Sequence, residues 1–219
     1  MSNYYLLLFL QPRKTRTSDF SQWRREIFSM LLELTPHMYL DAVDDPDTET
    51  NKYRHVNVYR LTESTSPPTD SQIETQLLYL HSGNHHLSAF HWHIYSSIAE
   101  TRLAEPLSAH TVVTVGITIP TTDAAELDRW YAQEHMPALA TVRGWQAGTR
   151  LQLLSTSSSS KPEKDVVEYA TPYLAIHEWA ERNELGGEAW KKAVFTPWSE
   201  RIMTELQSAP VHRHVWVRV

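Results

Sequence analysis

A phenol, a carboxylate and an imidazole stand close together in the stretch LDRWYAQEHMPAL, residues 127–139. If this stretch is an amphipathic helix, the face that should be apolar contains Trp130, Tyr131, Glu134 and His135. Tyr131 and His135 are four positions apart, so their side chains can touch on one helix face. Because an imidazole titrates near neutral pH, these residues could carry acid–base chemistry on a small molecule.

Pro137 is expected to end or kink this helix, because its ring clashes with the carbonyl of Gln133. The residue before a proline also avoids the α conformation. His135 would then lie at a helix C-terminus, where the macrodipole favours a cationic imidazole by roughly 0.3–1 kcal/mol. The kink would make room for a pocket that the imidazole lines. The alternative is that Tyr131, Glu134 and His135 form a hydrogen-bonded helix cap without a catalytic role.

Further residues are candidates for the wall of the same pocket. A strand in YLAIHEW would place Tyr173, His177 and Trp179 on one face. We expect Tyr173 and His177 to bind substrate together with Trp130. Trp198, in FTPW, could add a flat apolar wall with one hydrogen-bond donor, although a tryptophan there most often packs in the core.

Two His-x-His pairs could in principle bind a metal. His91 and His93 share one strand face, and so do His212 and His214. Metals use this geometry, but no third ligand follows at a clear spacing. We therefore predict no metal site and expect these histidines to be half-exposed on a sheet.

The composition excludes several classes of function. The net charge is −6 and no basic stripe is present, so no nucleic acid partner is expected. The absence of cysteine excludes thiol nucleophiles and disulfides. The nucleotide-binding, serine-hydrolase and zinc-protease motifs are also missing. The 8 Trp, 10 Tyr and 12 His instead suit a pocket for a small organic molecule.

An apolar run near the N-terminus, residues 4–10, is too short to cross a bilayer, which takes about 20 residues. No basic residue precedes it, as a signal peptide would require. We expect a buried strand at this position and a soluble cytoplasmic protein without a membrane partner.

The second half, residues 106–219, has the element order βαββαβ of a ferredoxin-like unit. Its predicted strands are HTVVTVGITIP, AGTRLQLL, TPYLAIHEWA and VHRHVWVRV, with helical sequences after the first and the third. Residues 1–105 repeat this order in a degenerate form, with predicted strands YYLLLFLQ, HVNVYRL, TQLLYLHSG and SAFHWHIYSSI. A loop is expected at residues 62–71, and the second helix of this half has shrunk or vanished.

The two halves predict an α+β fold, in which two ferredoxin-like βαββαβ repeats pack sheet-to-sheet as a single-chain pseudo-dimeric α+β barrel. Aligning Trp23 with Trp130 places Arg24 at the position of Tyr131, and Ile27 and Phe28 at those of Glu134 and His135. The same helix positions therefore accept other residues in the first repeat, so the polar set is not needed to close the fold.

The W-Y-x-x-E-H-x-P pattern, together with YLAIHEWA and the T-P-W sequence after it, resembles the EthD-like proteins of the dimeric α+β-barrel superfamily, in the duplicated form common in fungi. Residues 110–219 carry the resemblance, and residues 1–105 follow it in outline only. The resemblance implies a cavity between the sheet and helices of a repeat, with the motif His and Tyr as its active groups. The superfamily includes cofactor-free cyclases, decarboxylases, dehydratases and oxygenases, and also haem-binding branches.

The leading hypothesis is a cofactor-independent lyase or cyclase acting on an aromatic or polyketide-like small molecule of secondary metabolism. His135 would transfer the proton, Tyr131 would donate to the developing enolate, and Glu134 would orient the imidazole. The alternatives are a haem-binding or small-molecule-binding protein, a cofactor-free monooxygenase, or a non-catalytic scaffold. A homodimer is compatible with all of them.

Overall fold

The computed structural model describes residues 3–13, 20–26, 36–43, 53–61, 69–75, 87–103, 109–158 and 170–219. The chain forms two compact units. Unit 1 comprises Met1–Ser97, Leu153–Ala170 and Val219, and unit 2 comprises Ile98–Gln152 and Thr171–Arg218.

Unit 1 contains a four-stranded antiparallel sheet. Its strands are β1 (Tyr4–Pro12), β2 (Pro36–Ala42), β3 (His55–Leu61) and the first part of β4 (Leu87–Arg102), in the order β2-β3-β1-β4. Residues 20–26 (α1) and residues 70–75 (α2) are helical. β1 is buried along almost its whole length, which explains its continuous apolar sequence. The strand order is that of a ferredoxin-like sheet.

Two expectations for unit 1 are wrong. β2 was not predicted, because PHMYLDA begins with a proline and carries Asp41, whose carboxylate is paired with the buried Arg24. The helix α2 occupies positions where the sequence predicts the end of a loop and the start of a strand, so the second helix has not vanished. The rest of that predicted strand, residues 76–83, lies outside the described residues.

Unit 2 repeats the same sheet. Its strands are β5 (Thr111–Ile117), the first part of β6 (Trp145–Ser158), β7 (Tyr173–Trp179) and β8 (His212–Arg218), in the order β8-β5-β7-β6. All four strands were predicted, and the α+β class with a ferredoxin-like arrangement of strands is confirmed. In the β5 register, Val113 pairs with His177, and Val115 pairs with Arg213. His177 and Arg213 therefore lie on one face of the sheet, on either side of β5.

The helices of unit 2 follow β5 and β7. A 3₁₀ turn (Thr121–Asp123) leads into α3 (Ala124–Trp130), a π-helical segment (Tyr131–His135) and α4 (Met136–Ala140). After β7 come α5 (Glu188–Val194), α6 (Pro197–Arg201) and a second π-helical segment (Ile202–Leu206). None of the helices in the described ranges is long and apolar enough to cross a membrane.

The helix that carries the motif does not end at Pro137. Met136 keeps the α conformation, with φ −66° and ψ −44°, and its N–H donates to the carbonyl of Tyr131, five residues earlier. This π-type bond shifts the register of the backbone, so that Pro137 stands in the first turn of α4, where a proline is tolerated. The prediction that His135 lies at a helix C-terminus is therefore wrong.

The turn after α4 depends on a glycine. Gly144 has φ +87°, in the left-handed region that other residues avoid. A Cβ atom there would lie 2.5 Å from the Cβ of Asn183 and 2.7 Å from the carbonyl oxygen of Arg182. The turn therefore requires glycine both for its backbone conformation and for its close approach to the loop after β7.

Candidate functional site

Unit 2 contains a cavity of about 720 Å³ between one face of its sheet and its helices. The sheet contributes Val113 and Val115 of β5 and His177 of β7, and the motif helix contributes the side chains of Trp130, Tyr131 and His135. Further walls come from α5, α6 and the residues between them, including Trp190, Phe195 and Thr196. The pocket that the motif predicts is therefore present, and the predicted acid–base residue lines it.

Two buried imidazoles face each other in this cavity. The ring centroids of His135 and His177 are 5.7 Å apart, with the rings at 72° to each other. His135 is 9% exposed and His177 3% exposed. The indole of Trp130 stacks on the His135 ring, with 4.3 Å between the centroids.

The π-helical segment creates the stacking of Trp130 on His135. In an α-helix, residues five positions apart point about 140° away from each other, because each residue turns the helix by about 100°. Hydrogen bonds to the fifth preceding residue instead bring such side chains onto the same side. Sequence periodicity predicts the contact between Tyr131 and His135, whose ring centroids are 5.3 Å apart, but it does not predict the indole stack.

Both imidazoles are neutral at pH 7. Burial lowers the pKa of His135 well below its usual value, and the nearby His177 and Arg150 lower it further. Burial also lowers the pKa of His177, to about 4, with a further contribution from Arg213. In the described part of the chain, the Nδ1 atoms of His135 and His177 have no hydrogen-bond partner. Each ring therefore has a nitrogen whose hydrogen bonding the protein does not satisfy.

Tyr131 is held as a neutral phenol. Burial raises its pKa to about 12, partly offset by the positive charge of Arg150. The guanidinium of Arg150 lies over the phenol ring, 4.2 Å from its centroid, and Nη1 donates to Oδ1 of Asp128 at 2.8 Å. Tyr131 thus remains a hydrogen-bond donor across the physiological pH range.

Glu134 binds a different partner from the one predicted. Its Oε1 accepts a hydrogen bond of 2.5 Å from Oγ1 of Thr196, instead of orienting the imidazole of His135. Thr196 also caps α6, since its Oγ1 accepts from the N–H of Ser199 at 3.0 Å. Nε1 of Trp130 donates to Oγ of Ser199 at 3.3 Å. Glu134 therefore links the motif helix to α6 through Thr196, and the hydrogen-bonded cap lies on α6 and not on the motif helix.

Two predicted wall residues stand elsewhere. Trp198 directs Nε1 to Oε1 of Glu126 at 3.0 Å, and Tyr173 lies at the start of β7. Neither is among the described residues that line the cavity. Sequence reasoning missed Trp190, Thr196 and Arg213 as lining residues, because their elements join the cavity only through the tertiary packing of α5, α6 and β8.

The equivalent helix position in unit 1 is filled by an ion pair. Arg24, which aligns with Tyr131, is 2% exposed. Its guanidinium donates to Oδ1 of Asp41 at 2.5 Å, to Oδ1 of Asn57 at 2.6 Å and to the carbonyl oxygen of Val56 at 2.7 Å. Such a closed network is typical of a structural core, because a buried charge is tolerated when it is paired and hydrogen-bonded.

One histidine of each His-x-His pair is more buried than predicted, whereas His91 and His212 are half-buried. His93 is fully buried, with Nδ1 2.9 Å from Oγ1 of Thr156, which also lies 3.1 Å from Nε2 of His91. His214 is 8% exposed. Within the described ranges, no three His, Cys, Asp or Glu side chains are grouped closely enough to hold a metal ion.

The cavity histidines do not fit a haem ligand. A histidine that binds a metal almost always donates its second ring N–H to an acceptor, which fixes the ring. Among the described residues, no such acceptor meets Nδ1 of His135 or of His177. If iron bound the Nε2 of either ring, the Nδ1–H would have no acceptor among the described residues.

No family model and no curated protein sequence matches this chain. Solved structures match it along its whole length. An anthrone oxidase-like protein has a TM-score of 0.60 at 12% identity, over 100% of this chain and 91% of the other. A chlorite dismutase variant from Candidatus Nitrospira defluvii has a TM-score of 0.57 at 10% identity, over 98% of this chain and 90% of the other. A ferredoxin-fold protein from Listeria monocytogenes, related to antibiotic biosynthesis monooxygenases, has a TM-score of 0.53 at 11% identity, over 98% of this chain and 94% of the other. At these identities the similarity establishes the fold alone, which is the ferredoxin-like α+β fold.

Proposed function

We propose that the chain is an enzyme that oxygenates an aromatic, polyketide-like small molecule without a bound cofactor, in the cavity of unit 2. The observation that carries the proposal is the pair of neutral, buried imidazoles of His135 and His177 at 5.7 Å, inside a cavity with aromatic walls. A neutral imidazole can accept a proton, and an apolar cavity excludes the water that would compete for it.

The walls favour a flat, largely apolar substrate. Trp130, Trp179 and Trp190 line the cavity, and indoles provide large apolar surfaces on which aromatic rings can stack. A volume of about 720 Å³ falls within the usual range for small-molecule pockets, roughly 300–1,000 Å³. The name of the anthrone oxidase-like structure supports the same class, since an anthrone is a tricyclic aromatic ketone.

The imidazoles need help from the substrate to act as bases. Burial lowers the pKa of His135, so proton transfer to it from an acid with a phenol-like pKa of about 10 is uphill. An ion pair at about 4 Å recovers about 4 kcal/mol at an effective dielectric of about 20. The substrate anion must therefore form in direct contact with the imidazolium.

The proposed reaction converts a methylene group next to a conjugated carbonyl into a ketone. His135 takes the proton from carbon, and Tyr131 donates a hydrogen bond to the enolate oxygen. The carbanion passes electrons to O₂, and one oxygen atom bonds to the carbon as a hydroperoxide. Loss of water from the hydroperoxide then breaks the O–O bond and forms the ketone. One O₂ is consumed, one oxygen atom remains in the product and the other leaves as water.

A lyase or cyclase would use the same proton abstraction and the same enolate donor. We favour oxygenation because the names of two similar structures, the anthrone oxidase-like protein and the relative of antibiotic biosynthesis monooxygenases, refer to oxidation. The EthD-like resemblance of the motif is compatible with both reactions, and it places the same two residues, His135 and Tyr131, at the centre of the chemistry.

The test is incubation with anthrone under isotopically labelled O₂, with O₂ uptake and product mass measured together. The wild-type protein should consume one O₂ per product and incorporate one labelled atom. His135→Asn should lose about 10²–10⁴-fold in turnover while still binding the ligand. His110→Asn, which changes an exposed histidine outside the cavity, is the matched control.

Other results would change the assignment. Conversion without O₂ uptake would support the lyase or cyclase hypothesis instead. Binding without conversion in any variant would indicate a carrier. Full turnover by a folded His135→Asn would show that this imidazole does not transfer the proton.

A further inference from the structure

One cationic side chain lines the cavity together with the two imidazoles. Arg213 of β8 lines the cavity and is exposed, while His177 of β7 is buried. We propose that the substrate is an aromatic acid, whose carboxylate pairs with Arg213 while the carbon to be deprotonated lies against the two imidazoles. This inference rests on the proposed function, because it specifies the substrate of the same cavity.

The sheet register sets the distance between the two ends of such a substrate. Val113 and Val115 of β5 pair with His177 and Arg213, respectively, so these two residues are two strand spacings and two residues apart. With about 4.8 Å between strands and about 3.4 Å per residue, their Cα atoms are about 12 Å apart. A gap of this size can be bridged by two or three fused rings and a carboxylate.

Arg213 has a defined position at this end of the cavity. Its guanidinium lies over the indole of Trp190, 5.9 Å from the ring centroid, and Trp190 itself lines the cavity. A guanidinium presents a planar set of donors that matches a carboxylate, and an adjacent indole can stack on the aromatic part of the ligand. The pair Arg213 and Trp190 therefore provides one site for the charge of an aromatic acid and one for its ring.

Binding of a carboxylate here would also change the imidazole pair. Burial lowers the pKa of His177, and the charge of Arg213 lowers it further. The other ionisable groups that line the cavity are Tyr131; His135, whose pKa is lowered by burial, His177 and Arg150; and Glu200, an exposed carboxylate of α6. A carboxylate beside Arg213 offsets its positive charge and raises the pKa of His177, the imidazole that faces the proposed base His135.

The test compares two ligands that differ only in charge, an anthracenecarboxylate and the anthracenemethanol with the same ring position. Calorimetry would measure Kd for both with the wild-type protein, Arg213→Gln, Arg213→Lys and the control Lys192→Gln. Lys192 is an exposed cation of α5 outside the cavity, so the control has the same loss of charge.

We expect Arg213→Gln to weaken binding of the carboxylate about tenfold or more and to leave the Kd of the alcohol within about twofold of the wild-type value. Arg213→Lys should recover most of the loss, and Lys192→Gln should have no effect. Histidine ring NMR should show the pKa of His177 rising by about one unit with the carboxylate but not with the alcohol.

Equal losses for the two ligands, or no loss for either, would overturn the role of Arg213 and leave the proposed role of the imidazoles intact. An unchanged His177 pKa in the carboxylate complex would overturn the coupling between Arg213 and His177. Failure of the wild-type protein to bind either ligand would overturn the proposed function and this inference together.

Discussion

His135, from the π-helical segment, and His177, from β7, lie with their ring centroids 5.7 Å apart and share one cavity. Neither ring is protonated at neutral pH, since burial lowers the pKa of both. The site therefore does not contain the cationic imidazole that a helix C-terminus would favour. It contains two uncharged rings that become useful bases when a ligand supplies negative charge.

Tyr131 should contribute to turnover as a hydrogen-bond donor, not as a core residue. Tyr131→Phe removes the hydroxyl and keeps the ring that packs against His135 and Arg150. We expect a loss of about 10²–10³-fold in kcat with a nearly unchanged Kd, because the donor acts on the developing enolate. Tyr173→Phe, a buried tyrosine outside the cavity lining, is the matched control and should keep normal kcat. Equal effects of the two changes would remove Tyr131 from the mechanism.

The stability of the fold should fall as the pH decreases from about 6.5 to 4. In the unfolded chain His177 binds a proton below its ordinary pKa near 6.5, whereas in the folded protein it does so only near 4. Between these values the unfolded state binds more protons, so the free energy of unfolding falls by up to about 1.4 kcal/mol per pH unit for this residue.

Urea unfolding at a series of pH values would measure that slope. His177→Asn should reduce that slope by the contribution of one histidine, and His110→Asn, which changes an exposed histidine, is the control variant. The buried His91, His93 and His135 also have lowered pKa values and keep part of the slope in both variants. The same slope in both variants would contradict the burial of a neutral His177.

Thr196 should matter for stability through two hydrogen bonds. Thr196→Val keeps the shape of the side chain but removes the donor to Glu134 and the acceptor for the N–H of Ser199. We expect a loss of about 1–2 kcal/mol in the free energy of unfolding, because a helix cap is lost and a carboxylate loses its partner. Thr196→Ser keeps the hydroxyl and should stay within about 0.5 kcal/mol of the wild-type protein. An unchanged free energy of unfolding in Thr196→Val would show that this link between the helices does not contribute to stability.

Alanine substitutions at two glycines should distinguish the cost of backbone strain from the cost of a steric clash. Gly144 and Gly186 have φ values of +87° and +79°, so alanine at either position costs about 1–2 kcal/mol for its conformation. Only at Gly144 would the new Cβ also meet Asn183 and Arg182, whereas nothing lies within 4 Å at Gly186. Chemical denaturation should therefore show the larger loss for Gly144→Ala. Equal losses would mean that the loop after β7 moves away at little cost.

The strands β5 and β7 of unit 2 are predictable because their β-branched and apolar sequences favour strands locally. β5, with Val113, Val115 and Ile117 on one face, and β7, buried at every position, both follow simple rules. β2 fails the same test because a salt bridge to Arg24 allows Asp41 within the strand. Only the tertiary structure makes that polar position favourable.

The residues of the candidate site could be predicted from the sequence on the motif helix but not on the other elements. Tyr131 and His135 stand out because polar groups occupy an apolar helix face. The stacking of the Trp130 indole on His135 depends on a change in hydrogen-bond register that local sequence propensities do not predict. Arg213 and Thr196 reach the cavity from elements distant in sequence, so their roles depend on the packing of unit 2.

The extra residue that the π-helical segment accommodates brings Trp130 and His135, five positions apart, onto one side of the helix. Deletion of the exposed Ala132 would leave them four positions apart, a spacing that a regular α-helix also brings together. Related chains can therefore hold the same pair of rings at either spacing, and an alignment that requires equal spacing without a gap would miss it.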